Sequence, residues 1–176
     1  SVAFMAQRAK KCLEINYIYD QLLSLMASRE DPISGGRHKV FGSLALHVPP
    51  QTSTIASHLP KALGAALSII LSKRLKFSEH FTNYKEDSVV LCSFGDASSN
   101  HSTAQGTFNA IAWIMRQGLK LPLVLICEDN GWGISVPTPF DWIEKAFSTK
   151  QSLHYIACDG RNLLQMIRKL IYQTET

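Results

Sequence analysis

"VVLCSFGDASSNHSTAQG", residues 89–106, changes character at Gly95-Asp96. Before that point the chain is apolar and rich in β-branched residues; after it, the residues are small and polar. "SVVLCSF" (88–94), closed by a glycine, predicts a buried strand. Phe108, Ile111, Ala112 and Met115 then recur at helical spacing, so a helix over 102–118 follows, with these residues facing a core. "LPLVLICE" (121–128) predicts a second strand and "LHYIAC" (153–158) a third. "PFDWIEKAF" between them suits a short helix. Leu163, Leu164, Ile167, Leu170 and Ile171 mark a last one. Strand and helix alternating in this way imply an α/β fold, a parallel sheet with helices on both faces.

Upstream, Ile15, Ile18, Leu22, Leu25 and Met26 place an amphipathic helix over residues 3–28. "DPISGGRHKVFGS" and "VPPQTSTIASHLP" read as one long loop. "KALGAALSIILSKRLKF" predicts a buried helix over about 57–76, with Ser57 as N-cap and Pro60 in the first turn. The expectation is a single domain over 1–176, with residues 30–50 as a Gly-rich active-site loop.

The composition excludes several classes. Apolar residues are 45% of 176, enough for one core. The 18 basic residues exceed the 14 acidic ones but are scattered, which argues against nucleic-acid binding. No apolar run approaches the roughly 18 residues of a membrane span, so no membrane partner is expected. "SVAFMAQRAKKCLEI" lacks the apolar centre and cleavage site of a signal peptide. Cys12, Cys92, Cys127 and Cys158 form no CxxC or zinc spacing. They are expected as buried free thiols, in a reducing compartment.

Two predicted strands end in polar groups: Gly95-Asp96 and Glu128-Asp129-Asn130. In open α/β sheets ligands bind beyond the carboxyl ends of strands. Neighbouring strands lie about 5 Å apart, so Asp96 and Asn130 could aim side-chain oxygens at one point. A carboxylate and an amide oxygen suit Mg²⁺ or Ca²⁺ rather than zinc. Mg²⁺ takes few protein ligands and completes its shell with phosphate. The backbone N–H groups of Ala97, Ser98 and Ser99, at the start of the next helix, would face that anion. The plainer alternative is Asp96 as a helix N-cap after an ordinary strand–loop junction.

"GDASSNHSTAQGTFNAIAWIMRQGLKLPLVLICEDNGWGIS" (95–135) resembles the diphosphate-binding motif of thiamin-diphosphate enzymes, which begins Gly-Asp-Gly and ends Asn-Asn. More narrowly, it is similar to the α-type half of the E1 component of 2-oxo-acid dehydrogenases, in the variety that fuses α-like and β-like halves. "SGGRHKVFGS", "TSTIASHLPKALGAAL", "VPTPFDWIEKAF" and "YIACDGRNL" extend the likeness from about residue 30 to 165. The resemblance implies a thiamin-diphosphate-binding fold with thiamin diphosphate and Mg²⁺ as cofactors. Asp96 and Asn130 would ligate the metal by side chain and Trp132 by its backbone carbonyl. Gly95, Ala97 and Ser98 would hold the diphosphate, and Ile55 would touch the ring end of the cofactor. Arg37 and His101 would act catalytically or line the site. Thr52, Thr54, Ser57 and His58 match a stretch that binds a structural potassium ion in some relatives.

The same resemblance implies oxidative decarboxylation of a 2-oxo acid, such as pyruvate or 2-oxoisovalerate, with acyl transfer to lipoyl. Its partners would be a β-like pyrimidine-binding half, a lipoyl-bearing E2 component and the small 2-oxo acid, in a homo-oligomer. The location would be cytoplasmic, or the mitochondrial matrix in a eukaryote. A transketolase-like thiamin enzyme, or a non-catalytic module binding phosphate or nucleotide, is the alternative. The chain departs from the pattern at Ala97, where glycine is usual, and at Asp129, where asparagine is. The Asp96–Asn130 segment is longer than usual, with "MRQGLK" as the expected insertion. No pyrimidine-binding half and no later catalytic-histidine loop is recognisable, so the chain is expected to be a piece of a larger enzyme. The 176 residues alone should then fail to consume a 2-oxo acid in a decarboxylation assay. Turnover without a partner would overturn that expectation.

Overall fold

Two strands, β3 (Val90–Gly95) and β4 (Leu123–Glu128), run parallel and in continuous register from Val90 opposite Leu123 to Gly95 opposite Glu128. The computed structural model in which they are seen describes residues 16–37, 40–77, 85, 87–150 and 153–175. These fall into two compact units, residues 1–54 and 55–176.

The first unit holds α1 (Tyr17–Leu25) and an antiparallel hairpin of β1 (Phe41–Ser43) and β2 (Val48–Gln51). Most of the expected 3–28 helix, with Cys12 and Ile15, lies outside the described residues, as does His38. α1 ends in a Schellman motif: Ser28 N–H donates to Leu23 O at 2.9 Å and Ala27 N–H to Ser24 O at 3.2 Å. Ala27, at φ 50°, takes the left-handed position that glycine usually fills. The expected apolar stripe is not the buried one. Tyr17, Gln21 and Ser24 face inward, and Ile18, Leu22, Leu25 and Met26 are exposed.

Residues 30–50 are also not one loop, since β1 and β2 pair within them. Gly36 sits at φ +76°, and a Cβ there would fall 2.3 Å from Ala27 O, so only glycine permits this approach. Asp31 pins the turn before it. Its carboxylate accepts from Ile33 N–H at 3.0 Å and from the Ser34 hydroxyl at 2.6 Å.

The second unit is α/β. α2 (His58–Arg74) lies against β3, and α3 (Ser102–Arg116) makes the crossover from β3 to β4. α4 (Trp142–Phe147) and α5 (Leu163–Glu175) follow. Along α2, Leu59, Ala62, Leu63, Ala66 and Ile69 are buried, as the helical period requires. Ser57 occupies the N-cap position, but with αR geometry and no capping hydrogen bond from its side chain. Leu59, Leu63, Cys92, Phe94, Phe108, Ile111, Ile143 and Phe147 share one core. Phe108 is its centre, 5.7 Å from the Phe94 ring and edge-on to Phe147 at 5.0 Å. On β3, Cys92 and Phe94 point into this core, while Leu91 on the opposite face is exposed.

Three expectations need correction. Residues 153–158 form no strand. Leu153 and Tyr155 still pack on the core, so the alternating apolar pattern was satisfied by packing without a ladder. In consequence Cys158 is exposed, whereas Cys92 is buried and Cys127 half-buried. Met115, in the last turn of α3, is also exposed rather than core. "MRQGLK" is where α3 stops. Gly118, at φ +75°, donates to Met115 O and Leu119 N–H reaches Ile114 O, a second Schellman ending.

Burial by itself would raise the Asp31 carboxyl, but the Ser34 hydroxyl and the Ile33 and Ser34 N–H groups outweigh it and hold the group below its ordinary value of 3.8. A depressed folded value contributes stability above the unfolded value, and that stability is lost as pH falls through the folded value. Asp31→Asn should therefore lower the Tm at pH 7, and the gap to wild type should close as the pH drops below about 3.8, as thermal melts across pH would show.

Candidate functional site

The ends of β3 and β4 meet as the register dictates. Past Gly95 and Glu128, the Asp96 N–H still reaches Glu128 O at 3.4 Å. Asp96 and Asp129 are thus the next residues on adjacent strands, with Asn130 one further on. Asp96 is 1% exposed. Its Oδ2 accepts from the Thr138 hydroxyl at 2.5 Å, while its Oδ1 is buried with no hydrogen-bond partner among the described residues. A buried carboxylate oxygen left this way is costly unless a cation or donor meets it.

After Asp96 the chain enters a 3₁₀ turn, Ala97–Asn100. Its first internal bond is Ser99 N–H to Asp96 O at 3.1 Å, so the N–H groups of Ala97 and Ser98 precede the bonded part of the turn. Asp96 makes no capping bond of its own, which removes the plain N-cap alternative. Ala97 is absent from the positive-φ residues, so the missing glycine demands no strained backbone. An added Cβ at Gly133 would lie 3.4 Å from the Ala97 methyl, an ordinary contact, and 3.3 Å from Val136 O.

The loop after β4 folds back on itself. Gly131 turns at φ +76°, Trp132 bridges Pro137, Gly133 N–H donates to Val136 O at 2.8 Å and Thr138 N–H to Gly131 O at 2.9 Å. Asn130 Oδ1 accepts from Trp132 N–H at 2.9 Å, and an amide oxygen keeps a second lone pair for another partner. The Trp132 indole is exposed.

His101 is exposed and caps α3, its Nδ1 accepting from Thr103 N–H at 3.2 Å. The ring therefore fastens the loop to the helix. Ile55 is half exposed just before α2, and His58 anchors that corner by donating from Nε2 to Ser93 O at 2.9 Å. Arg37 belongs to the first unit, where its Nε donates to Ser34 O at 3.0 Å. Thr52 and Thr54 also lie in that unit, and Ser57 and His58 in the second. Thr138 and Gly133 were not singled out by sequence. "SVPTPF" has no spacing that announces a contact with a residue 42 positions away.

The field at the strand ends is negative. Burial, then the charges of Asp129, Asp96 and Glu128, push the Cys127 thiol up to about 12. The Asp129 carboxyl is also raised, first by partial desolvation, then by the charge and contact of Asp96, and last by Asp141. Two carboxylates side by side with a buried unpaired oxygen favour a cation between strand ends.

The dehydrogenase E1 component family model matches residues 4–162. The 2-oxoisovalerate dehydrogenase subunit alpha 2, mitochondrial, of Arabidopsis thaliana is 30% identical over 129 residues, 72% of this chain and 24% of that protein. The subunit alpha of the Bacillus subtilis enzyme is 32% identical over 120 residues, 67% of this chain and 31% of its own length. The mitochondrial subunit alpha of Caenorhabditis elegans is 26% identical over 153 residues, 84% of this chain and 32% of that protein. The chain thus spans about a quarter to a third of the length of these curated relatives.

A raised folded value for an acid means stability is lost as pH climbs past the unfolded value. Asp129→Asn should therefore raise the Tm of cation-free protein at pH 7 and leave it unchanged near pH 3. Melts at the two pH values check this.

Proposed function

The chain belongs to the dehydrogenase E1 component family, and from that premise we propose that its second unit binds the diphosphate of thiamin diphosphate through Mg²⁺. The observation that carries the reading is the buried Oδ1 of Asp96, without a hydrogen-bond partner among the described residues, at the carboxyl end of a parallel strand pair. The donors near it are hard oxygens, which suit Mg²⁺. Asp96 Oδ1 and the Asn130 side-chain oxygen would ligate the ion, with the Trp132 carbonyl as the third protein ligand. Gly95 and the N–H groups of Ala97 and Ser98 would take the phosphate oxygens. Ile55 would meet the ring end of the cofactor, and His101 would hold the loop by its cap on α3.

When bound, thiamin diphosphate supplies the carbanion chemistry that decarboxylates a 2-oxo acid; the chain's own groups position it and balance its charge. The whole enzyme would pass the acyl unit to lipoyl on an E2 component. A branched 2-oxo acid is the proposed substrate, because the relatives described above are all named for 2-oxoisovalerate. Trp132, Ile134, Val136 and Phe140 are exposed on the ligand loop, a surface that a pyrimidine-binding half would cover. Among the described residues no helix is long and apolar enough to cross a membrane. A transketolase-like activity is disfavoured by the family match.

Calorimetry on the intact protein with thiamin diphosphate and Mg²⁺ tests the reading. Saturable binding is expected, weakened by Asp96→Ala by more than the about 10–100-fold that losing the outer-shell partner of a metal ligand costs. Equal binding by wild type and variant, or none by wild type, would favour a module without thiamin chemistry.

A further inference from the structure

The two oxygens of Asp96 have different surroundings. Oδ2 is held by the Thr138 hydroxyl at 2.5 Å, and Oδ1 is buried with no hydrogen-bond partner among the described residues. A carboxylate able to turn about its Cβ–Cγ bond could offer either oxygen to a cation. With one oxygen tied to a fixed hydroxyl, the plane of the carboxylate is set, and the other oxygen is the one left wholly uncommitted. Thr138 is itself fixed by backbone: its N–H donates to Gly131 O at 2.9 Å, and the Trp132–Pro137 bridge closes the loop beneath it. That same loop begins with Asn130 and carries Trp132.

We propose that Thr138 is a positioning residue, whose hydroxyl holds Asp96 Oδ2 so that Oδ1 is the oxygen turned toward the divalent cation. Because Thr138 rides on the loop of Asn130 and Trp132, one hydrogen bond locks the ligands of β3 and of the β4 loop into a single geometry. This inference rests on the reading of the site as a cation–diphosphate site. Hydrogen-bonded partners of ligating carboxylates orient them, and their loss commonly weakens metal binding about 10–100-fold.

The test uses the intact protein with its partner half, Mn²⁺ as the probe and thiamin diphosphate present, with free Mn²⁺ read by electron paramagnetic resonance. Thr138→Val keeps the shape and removes the hydroxyl; it should raise the Mn²⁺ Kd about 10-fold or more. Thr138→Ser keeps the hydroxyl and should stay within about 2-fold of wild type. Should Thr138→Val fail to fold, Thr138→Ala against Thr138→Ser makes the same comparison. Wild-type affinity in a folded variant without the hydroxyl overturns the inference and leaves the site reading standing. So does equal weakening in the serine variant, which would mark the methyl group rather than the hydroxyl. A wild-type protein that binds no Mn²⁺ with thiamin diphosphate overturns the site reading, and this inference falls with it.

Discussion

The parallel pairing of β3 with β4 is the constraint on which the site depends. Six consecutive residue pairs, from Val90–Leu123 to Gly95–Glu128, fix where each strand stops. A slip of one residue would turn Phe94 and Cys92 out of the core, so burial enforces the register. The register then sets Asp96 beside Asp129 and brings Asn130 within one residue of both. The chemistry at the strand ends is thus held in place by hydrophobic burial along their length.

The core itself is built around one side chain. Phe108 on α3 meets Phe94 of β3 on one side and Phe147 of α4 on the other. A buried aromatic of this size stabilises by roughly 1.5–3 kcal/mol, and the ring pairs add to that. The same contacts tie the crossover helix to the strand that precedes it. The first turn of α3, capped by His101, is therefore fixed relative to Asp96. Against this rigid frame the strand ends hold unfavourable charge. The Asp129 carboxyl and the Cys127 thiol there are both raised, first by burial and then by the neighbouring acidic charges.

Much of the second unit was legible in the chain. The periods of α2 and α3, the two strands and their parallel order followed from apolar spacing. Asp96 and Asn130 followed from where the apolar runs end. The failures share a cause: local pattern does not say what an element packs against. The stripe of Ile18, Leu22, Leu25 and Met26 has helical spacing, yet Tyr17, Gln21 and Ser24 are the buried face. "LHYIAC" has the composition of a strand but contributes Leu153 and Tyr155 to the core without pairing. The hairpin within residues 40–51 carries Gly42, Pro49 and Pro50, residues that ordinarily argue against strands, so it read as a loop.

By itself the sequence determined the alternation of strand and helix and the polar residues at the strand ends, because period and punctuation are local properties of the chain. Whether Ala97 could stand where glycine is usual was left open, since that depends on its φ, which is not positive in the fold. Only the tertiary structure decided that Asp96 has one oxygen tied and the other buried without a hydrogen-bond partner among the described residues. That distinction depends on Thr138, brought across by the folded-back loop from Gly131 to Thr138. A hydrogen bond between residues so far apart has no signature in spacing, since it exists only once the register of β3 on β4 has placed both ends of the loop.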